Sequence, residues 1–246
     1  MPTVILMDVG LSMARLSGKT ERESARTAIG RSPHEEEDVE IRQLAVQGIS
    51  HLLSQVETNC RLEHVAVLTY SSVCEVAVNF TRDIEAIRSK LLNISCQDKS
   101  LLETGLAGVT GVILEEWGGS ASSLNLNLVI VTDGSLGQGP LSLSHLVNVG
   151  PAEMKLPIPF SISVSVICLA DKVRTNNCPR NVSFVWYIQS LNPGLKKTKE
   201  AYQKLFTKLG ITNNMASFHC LETGNLTEKT SEGLFQEVEK VTCSGC

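Results

Sequence analysis

Short apolar runs alternate with stretches of helical periodicity along the 246-residue chain, and this alternation constrains the fold more than any other feature. Apolar runs bounded by turn residues predict strands, and apolar spacing of three and four residues predicts helices. The predicted strands are residues 3–7, 62–71, 74–81, 124–133, 160–170 and 216–222. The predicted helices are residues 34–58, 83–92, 101–117, 196–210 and 231–241, and a further short element is possible at 183–188.

Strands that alternate with helices form a mostly parallel sheet that is covered on both faces. The tight turn between the strands at 62–71 and 74–81 adds one antiparallel edge strand. The sequence therefore predicts an α/β fold with a doubly wound, mostly parallel sheet and helices on both faces. The segment 16–33 has the composition of a loop, and so does the Pro-rich stretch 150–160.

Composition and charge exclude several classes of protein. A formal net charge of −4 argues against a domain that binds nucleic acid through overall basicity. No stretch approaches the roughly 20 apolar residues of a membrane span. The first apolar run has no basic region before it and breaks at Asp8, so it does not resemble a secretory signal. We therefore expect the eight cysteines to be reduced intracellular thiols. The pair Cys243 and Cys246 has the spacing of half a zinc site or of a redox pair, but we interpret it as part of a tail because the further ligands of a metal site are missing.

Oxygen-bearing side chains follow the strands at one edge of the predicted sheet. Asp8 and Asp133 come directly after apolar strands, Ser12 lies in the loop after Asp8, and Ser100 precedes a helix. In wound sheets the carboxyl ends of the strands border the functional crevice. A small set of hard oxygen ligands completed by water is typical of Mg²⁺. The alternative is that both aspartates only accept backbone hydrogen bonds in their loops.

This arrangement resembles the metal-ion-dependent adhesion site of the von Willebrand factor A fold. That site combines D-x-S-x-S after the first strand, a Thr from a second loop and an Asp after a later strand. In this chain the first motif is Asp8-Val-Gly10-Leu-Ser12, the second loop places Ser100 at the Thr position, and Asp133 is the later Asp. Gly10 removes one hydroxyl ligand, so the resemblance implies a degenerate site with possible Mg²⁺ binding. A carboxylate of a partner would then complete the coordination.

Four further stretches resemble the Integrator complex subunit 14 family. They read MPTVILMDVGLSM at 1–13, FTRD at 80–83, EEWGG at 115–119 and VIVTDGSLGQGPLSLSHL at 129–146, and the resemblance fades after about residue 170. Family members continue into a β-barrel and a helical region that have no counterpart in this sequence. We therefore expect residues 1–246 to be a single von Willebrand factor A domain with a tail at about 241–246, in a shortened form or a piece of a longer protein.

The resemblance implies a nuclear, non-catalytic scaffold subunit of the Integrator complex. In that family the subunit forms a heteromeric module with Integrator subunits 13 and 10. The complex processes the 3′ ends of small nuclear RNA and attenuates transcription by RNA polymerase II. The module is also implicated in weak nucleic-acid contact. In this chain a basic stretch is the candidate for such contact, and it comprises Lys196, Lys197, Lys199, Lys204 and Lys208. The alternative, which we favour, is that these lysines form an ordinary solvated face of a helix.

Two other functions remain open from the residues alone. A Mg²⁺-dependent phosphohydrolase would use Asp8 as nucleophile, but it needs a second carboxylate two residues on, where Gly10 cannot transfer protons. His64, His145 and His219 are scattered, and the strand-like surroundings of His64 and His219 are typical of structural histidines. Another adaptor of the same fold, such as a Ku-like nucleic-acid binder or a ubiquitin-receptor-like platform, is the second alternative.

Overall fold

The computed structural model describes residues 1–17, 39–60, 63–150, 153–154, 156, 158–170, 194–221 and 226–242. The strands are β1 (Thr3–Asp8), β2 (Val65–Tyr70), β3 (Cys74–Thr81), β4 (Asn125–Thr132), β5 (Ser161–Cys168) and β6 (Ala216–Cys220). The α-helices are α1 (Ile41–Asn59), α2 (Ile84–Leu91), α3 (Leu102–Trp117), α4 (Leu143–Asn148), α5 (Leu195–Lys208) and α6 (Glu228–Thr242). Short 3₁₀ helices span Leu11–Ala14, Gly118–Ser123 and Asn213–Met215.

The described strands form one sheet in the order β3-β2-β1-β4-β5-β6. Every neighbouring pair is parallel except β2 and β3, which are antiparallel as the tight turn between them predicts. The chain winds from β1 towards β3 in one direction and from β4 towards β6 in the other. The strand order therefore reverses between β1 and β4, and this is the position where wound sheets form a crevice. The predicted fold class is confirmed.

Helices cover both faces of the sheet because successive residues of the central strands point to opposite sides. Val4 and Leu6 of β1 belong to the core beneath α3, α4 and α5. Ile5 and Met7 belong to the core beneath α1, α2 and α6. All six residues of β1 are buried, which explains why this strand is a nearly continuous apolar run.

The helix α1 begins with a reciprocal cap and crosses α6 at close range. The Glu40 side chain accepts from the N–H of Gln43, while the Glu40 N–H donates to Gln43 Oε1 at 2.9 Å. Farther along, a Cβ atom on Gly48 would lie 2.0 Å from the ring of Phe235 in α6. A glycine at this position therefore allows α1 and α6 to pack closely. The predicted helix began at 34, and residues 34–38 lie outside the described part of the chain.

The sequence pattern predicted no helix at Leu143–Asn148, where the structure has α4. Two polar side chains stabilise its ends. Ser142 Oγ accepts from the N–H of His145 at 3.3 Å, and Lys208 Nζ from α5 donates to the carbonyls of Leu146, Val147 and Val149. A helix this short depends on such contacts because it cannot offer a full apolar face.

Several other sequence interpretations fall outside the described residues. These are most of the loop 16–33, the short element at 183–188 and the pair Cys243 and Cys246. Among the helices that are described, none has both the length and the apolar character to cross a membrane.

Candidate functional site

Asp8 and Asp133 lie side by side at the carboxyl edge of the sheet, where the strand order reverses. Asp8 is the last residue of β1, and Asp133 follows the last residue of β4, which is the neighbouring strand. Their exposed fractions are 1% and 0%. Two buried carboxylates at one point of the fold are costly unless hydrogen bonds and opposite charge compensate them.

Four hydrogen bonds saturate both oxygens of Asp8. Oδ1 accepts from Ser100 Oγ at 2.6 Å and from the Gly10 N–H at 2.8 Å. Oδ2 accepts from Thr132 Oγ1 at 3.0 Å and from Tyr70 Oη at 3.3 Å. Burial, followed by the nearby charge of Asp133, raises the pKa of Asp8 to about 6, although the hydrogen bonds from Ser100, Gly10 and Thr132 oppose the rise.

Asp133 is compensated by a positive charge. Its Oδ2 lies 2.5 Å from Nη2 of Arg15, and its Oδ1 accepts from the N–H of Ser135 at 3.0 Å. The Arg15 Nε also donates to the carbonyl of Ser12 at 2.8 Å. The guanidinium thus links the Asp8–Ser12 loop to the end of β4.

The structure explains why position 10 is a glycine, which the resemblance to the adhesion motif does not. A Cβ atom at this position would lie 2.1 Å from Ser100 Oγ and 3.2 Å from Asp8 Oδ1. The absence of a side chain therefore leaves room for the Ser100 hydroxyl to reach Asp8. Gly10 removes a hydroxyl ligand, but it also permits a direct serine–aspartate hydrogen bond.

The structure brings together three of the predicted site residues, Asp8, Ser100 and Asp133. Ser12 joins the cluster through its main-chain carbonyl, and no hydrogen bond of its hydroxyl to these three residues is found in the described part of the chain. Sequence reasoning missed Arg15, Tyr70 and Thr132. The sequence could have indicated Tyr70, because this residue ends β2 and is the register partner of Asp8.

The residues present do not fit a divalent cation in this arrangement. Each carboxylate oxygen of Asp8 and Asp133 already has a protein donor, and a guanidinium lies against Asp133. A divalent cation at Asp133 would have to displace this guanidinium, and Gly10 supplies no hydroxyl ligand. Across the described residues, no group of three or more His, Cys, Asp and Glu side chains is suitable for a metal either. Magnesium binding stays a prediction from the motif.

The three histidines lie apart from the two aspartates. His64 precedes β2, His145 is in α4, and His219 is in β6. Nδ1 of His219 lies 3.1 Å from Glu237 Oε2 and its Nε2 lies 2.9 Å from Ser217 Oγ, so both ring nitrogens have partners. Ser217 Oγ in turn donates to Ser165 Oγ at 2.9 Å. These contacts join β5, β6 and α6, as expected of a structural histidine.

The basic stretch of α5 is partly used within the fold. Lys196, Lys197, Lys199 and Lys204 are exposed. Lys208, in contrast, donates to three carbonyls at the end of α4. The interpretation of Lys208 as part of a solvated helix face is therefore wrong, because this ammonium caps a neighbouring helix.

Comparison with known proteins finds relatives by sequence. Integrator complex subunit 14 of Xenopus tropicalis is 37% identical over 179 residues, which are 70% of this chain and 31% of the Xenopus protein. The human protein of the same name is 34% identical over 176 residues, with the same coverage of both chains. The chain thus spans about a third of the length of the curated relatives it matches. No protein-family model matches the chain.

Comparison with solved structures identifies the fold. The SpRpn10 VWA domain has a TM-score of 0.53 at 9% identity, and the match covers 96% of this chain and 94% of that chain. A von Willebrand factor type A structure from Catenulispora acidiphila has a TM-score of 0.50 at 12% identity, covering 97% and 41%. At such low identity these matches show a shared fold and carry no statement about function.

Proposed function

Because the chain is a homologue of Integrator complex subunit 14 and has the von Willebrand factor A fold, we propose that it is a non-catalytic adaptor of the Integrator complex. The sequence identity over 70% of the chain carries the proposal. Its partners are Integrator subunits 13 and 10, and it acts in the nucleus. Through them it supports the 3′-end processing of small nuclear RNA and the attenuation of transcription by RNA polymerase II. Residues 1–246 act as one domain.

The chemistry of the carboxyl edge supports attachment rather than turnover. A nucleophilic Asp8 would need a free oxygen and an adjacent acid or base. Both of its oxygens are engaged, and Gly10 stands where a second carboxylate would be required. The carboxylate instead fixes the ends of β1, β2 and β4 and the loop before α3.

Exposed apolar side chains surround this edge and are the surface that we expect to contact Integrator subunit 13. Leu11 is 61% exposed and follows β1, Val73 is 50% exposed in the β2–β3 turn, and Leu141 is 38% exposed. The loops that carry Leu11 and Leu141 are joined to the segment around Ser100, because the Leu11 N–H donates to the Asp98 carbonyl and the Leu141 carbonyl accepts from the Glu103 N–H. Contiguous exposed apolar patches mark protein contacts, and we expect these three side chains to form one.

A pull-down tests the proposal. The tagged chain is co-expressed with Integrator subunits 13 and 10, and we expect capture of at least one of them. Leu11→Asp should reduce capture at least tenfold, because a charge would be buried at the contact. The matched control is Leu114→Asp, which changes a 43% exposed leucine on α3 and should leave capture unchanged.

Two outcomes would contradict this function. If the unaltered chain captures neither Integrator subunit but retains DNA ends or ubiquitin, it is a different adaptor of the same fold. If Leu114→Asp and Leu11→Asp reduce capture equally, the carboxyl edge is not the contact surface.

A further inference from the structure

We infer that the Arg15 guanidinium is the permanent cation of the Asp8–Asp133 site, so that this edge of the sheet needs no divalent metal ion. Asp133 is fully buried and lies near a second buried carboxylate, and Arg15 supplies the compensating charge at 2.5 Å. Arginine remains protonated at any physiological pH, so this charge is always present. A metal ion would have to displace it.

The main chain around Arg15 is fixed, and this holds the guanidinium in place. The Arg15 carbonyl accepts from the N–H of Ile41 at the start of α1, and the Ser17 N–H donates to the Val39 carbonyl. Nε of the same side chain is held by the Ser12 carbonyl. Only 27% of the side chain is exposed. Arg15 is therefore held by two elements and by its own turn, unlike a solvated surface arginine.

Hydroxyl groups stabilise Asp8 without a metal ion. Ser100 gives its hydrogen to Asp8 through the space that Gly10 leaves open, and Thr132 gives its own to the other oxygen of Asp8. Gly10 also leaves this edge without one hydroxyl ligand of the adhesion motif. Hydrogen bonds thus stabilise Asp8 and the guanidinium compensates Asp133, so this edge already has its compensating charge.

This inference does not depend on which partner the chain binds. It implies that any contact made at the carboxyl edge persists in EDTA. It also makes Arg15 a positioning residue, because the guanidinium holds the Asp8–Ser12 loop against the end of β4.

Manganese titration tests the inference directly, with bound Mn²⁺ followed by electron paramagnetic resonance. We expect the unaltered chain to show no saturable binding up to about 1 mM Mn²⁺, the weak end of protein sites for divalent ions. Arg15→Met should gain a saturable site, because Asp8 and Asp133 lose their counter-charge. Arg15→Met combined with Asp133→Asn should lose it again.

Arg42→Met is the matched control. Arg42 also pairs with a carboxylate and a backbone carbonyl, on Glu40 and Ile94, and its side chain is 26% exposed. It lies outside the site, so its removal should not create manganese binding. Circular dichroism checks the fold of each variant, and Arg15→Gln, which keeps amide donors, replaces Arg15→Met if that protein does not fold.

Two results would overturn the inference. The first is saturable Mn²⁺ binding by the unaltered chain that Asp133→Asn abolishes, because the site would then hold a metal in the presence of Arg15. The second is a folded Arg15→Met or Arg15→Gln protein that binds no Mn²⁺, because the guanidinium would then not be what takes the place of the ion.

Discussion

At the scale of single residues, Gly10 and Ser100 share one small volume beside Asp8. Alanine at position 10 would push the Ser100 hydroxyl away from the carboxylate, since the new Cβ would be 2.1 Å from it. We expect Gly10→Ala and Ser100→Ala each to lower the free energy of unfolding by about 1–3 kcal/mol, because each deprives a buried carboxylate of a donor.

A double-mutant cycle distinguishes this coupling from two independent losses. In Ser100→Ala protein the clash with the hydroxyl is gone, so Gly10→Ala should cost about 1 kcal/mol less than it does in the unaltered protein. Urea unfolding of the four proteins measures the difference. Additive effects would mean that Gly10 acts through its backbone and not through the space it leaves.

Two partly buried thiols should react slowly. Burial raises the pKa of Cys74 to about 11, with the nearby Glu75 adding to the rise, and burial raises the pKa of Cys96 to about 11. The thiolate is the reactive form, so its fraction at pH 8 falls about 100-fold for a pKa two units above the usual one. Iodoacetamide labelling followed by peptide mass mapping should show both alkylated far more slowly in folded than in urea-unfolded protein. Equal rates would refute the shift.

Chain position was enough to predict the two aspartates and Ser100, but not the residue that neutralises them. Asp8 and Asp133 follow apolar strands, and parallel strands bring their carboxyl ends to one edge. Arg15 is 118 residues from Asp133 in the sequence, and no periodicity links them. Its role depends on which rotamer reaches the end of β4, and this is decided by the folded structure.

At the scale of helices, the crossing of α1 and α6 depends on Gly48. Gly48→Ala would place a methyl group 2.0 Å from the ring of Phe235, which is fully buried and can yield only by disturbing its neighbours. We expect a loss of about 1–3 kcal/mol in the free energy of unfolding, as for overpacked cores. Gly111→Ala in α3 is the control, since a Cβ there has no neighbour within 4 Å. It should stabilise the protein by up to about 1 kcal/mol through helix propensity. Urea unfolding that shows the same sign for both variants would contradict the close crossing.

A pair of lysine variants tests the cap that Lys208 of α5 provides at the end of α4. Lys208→Met removes a charged donor from three carbonyls and should cost about 1–3 kcal/mol in thermal or urea unfolding. Lys204→Met, on the exposed side of the same helix, should change stability by less than about 0.5 kcal/mol. Equal effects would indicate that the Lys208 contacts do not hold in solution.

Most of the longer elements were predictable, whereas α4 was not. The long helices and the central strands carry enough apolar positions for their period to be recognised in the sequence. The helix Leu143–Asn148 is too short for a period, and it is specified by the Ser142 cap and by Lys208, which belongs to a distant segment. Contacts of that kind become visible only once α4 and α5 are packed together.

At the scale of the whole molecule, one sheet is shared by two apolar cores. Each central strand contributes side chains to both cores. In β1, for example, Leu6 belongs to one core and Met7 to the other. We expect residues 1–246 to unfold in one cooperative transition, because neither core can persist without the sheet. Far-UV circular dichroism and tryptophan fluorescence should give coincident urea curves. Separated midpoints would argue for two units.

The contact between Gly48 and Phe235 also sets an order of events during synthesis. The apolar face of α1 leaves the ribosome early, but the part of it around Gly48 is covered by a ring of α6, which is translated much later. A nascent chain that ends before α6 therefore presents an uncovered apolar stripe, and such surfaces recruit chaperones or associate with one another. The contact between Gly48 and Phe235 joins residues that are far apart in the sequence, and contacts of this kind slow folding.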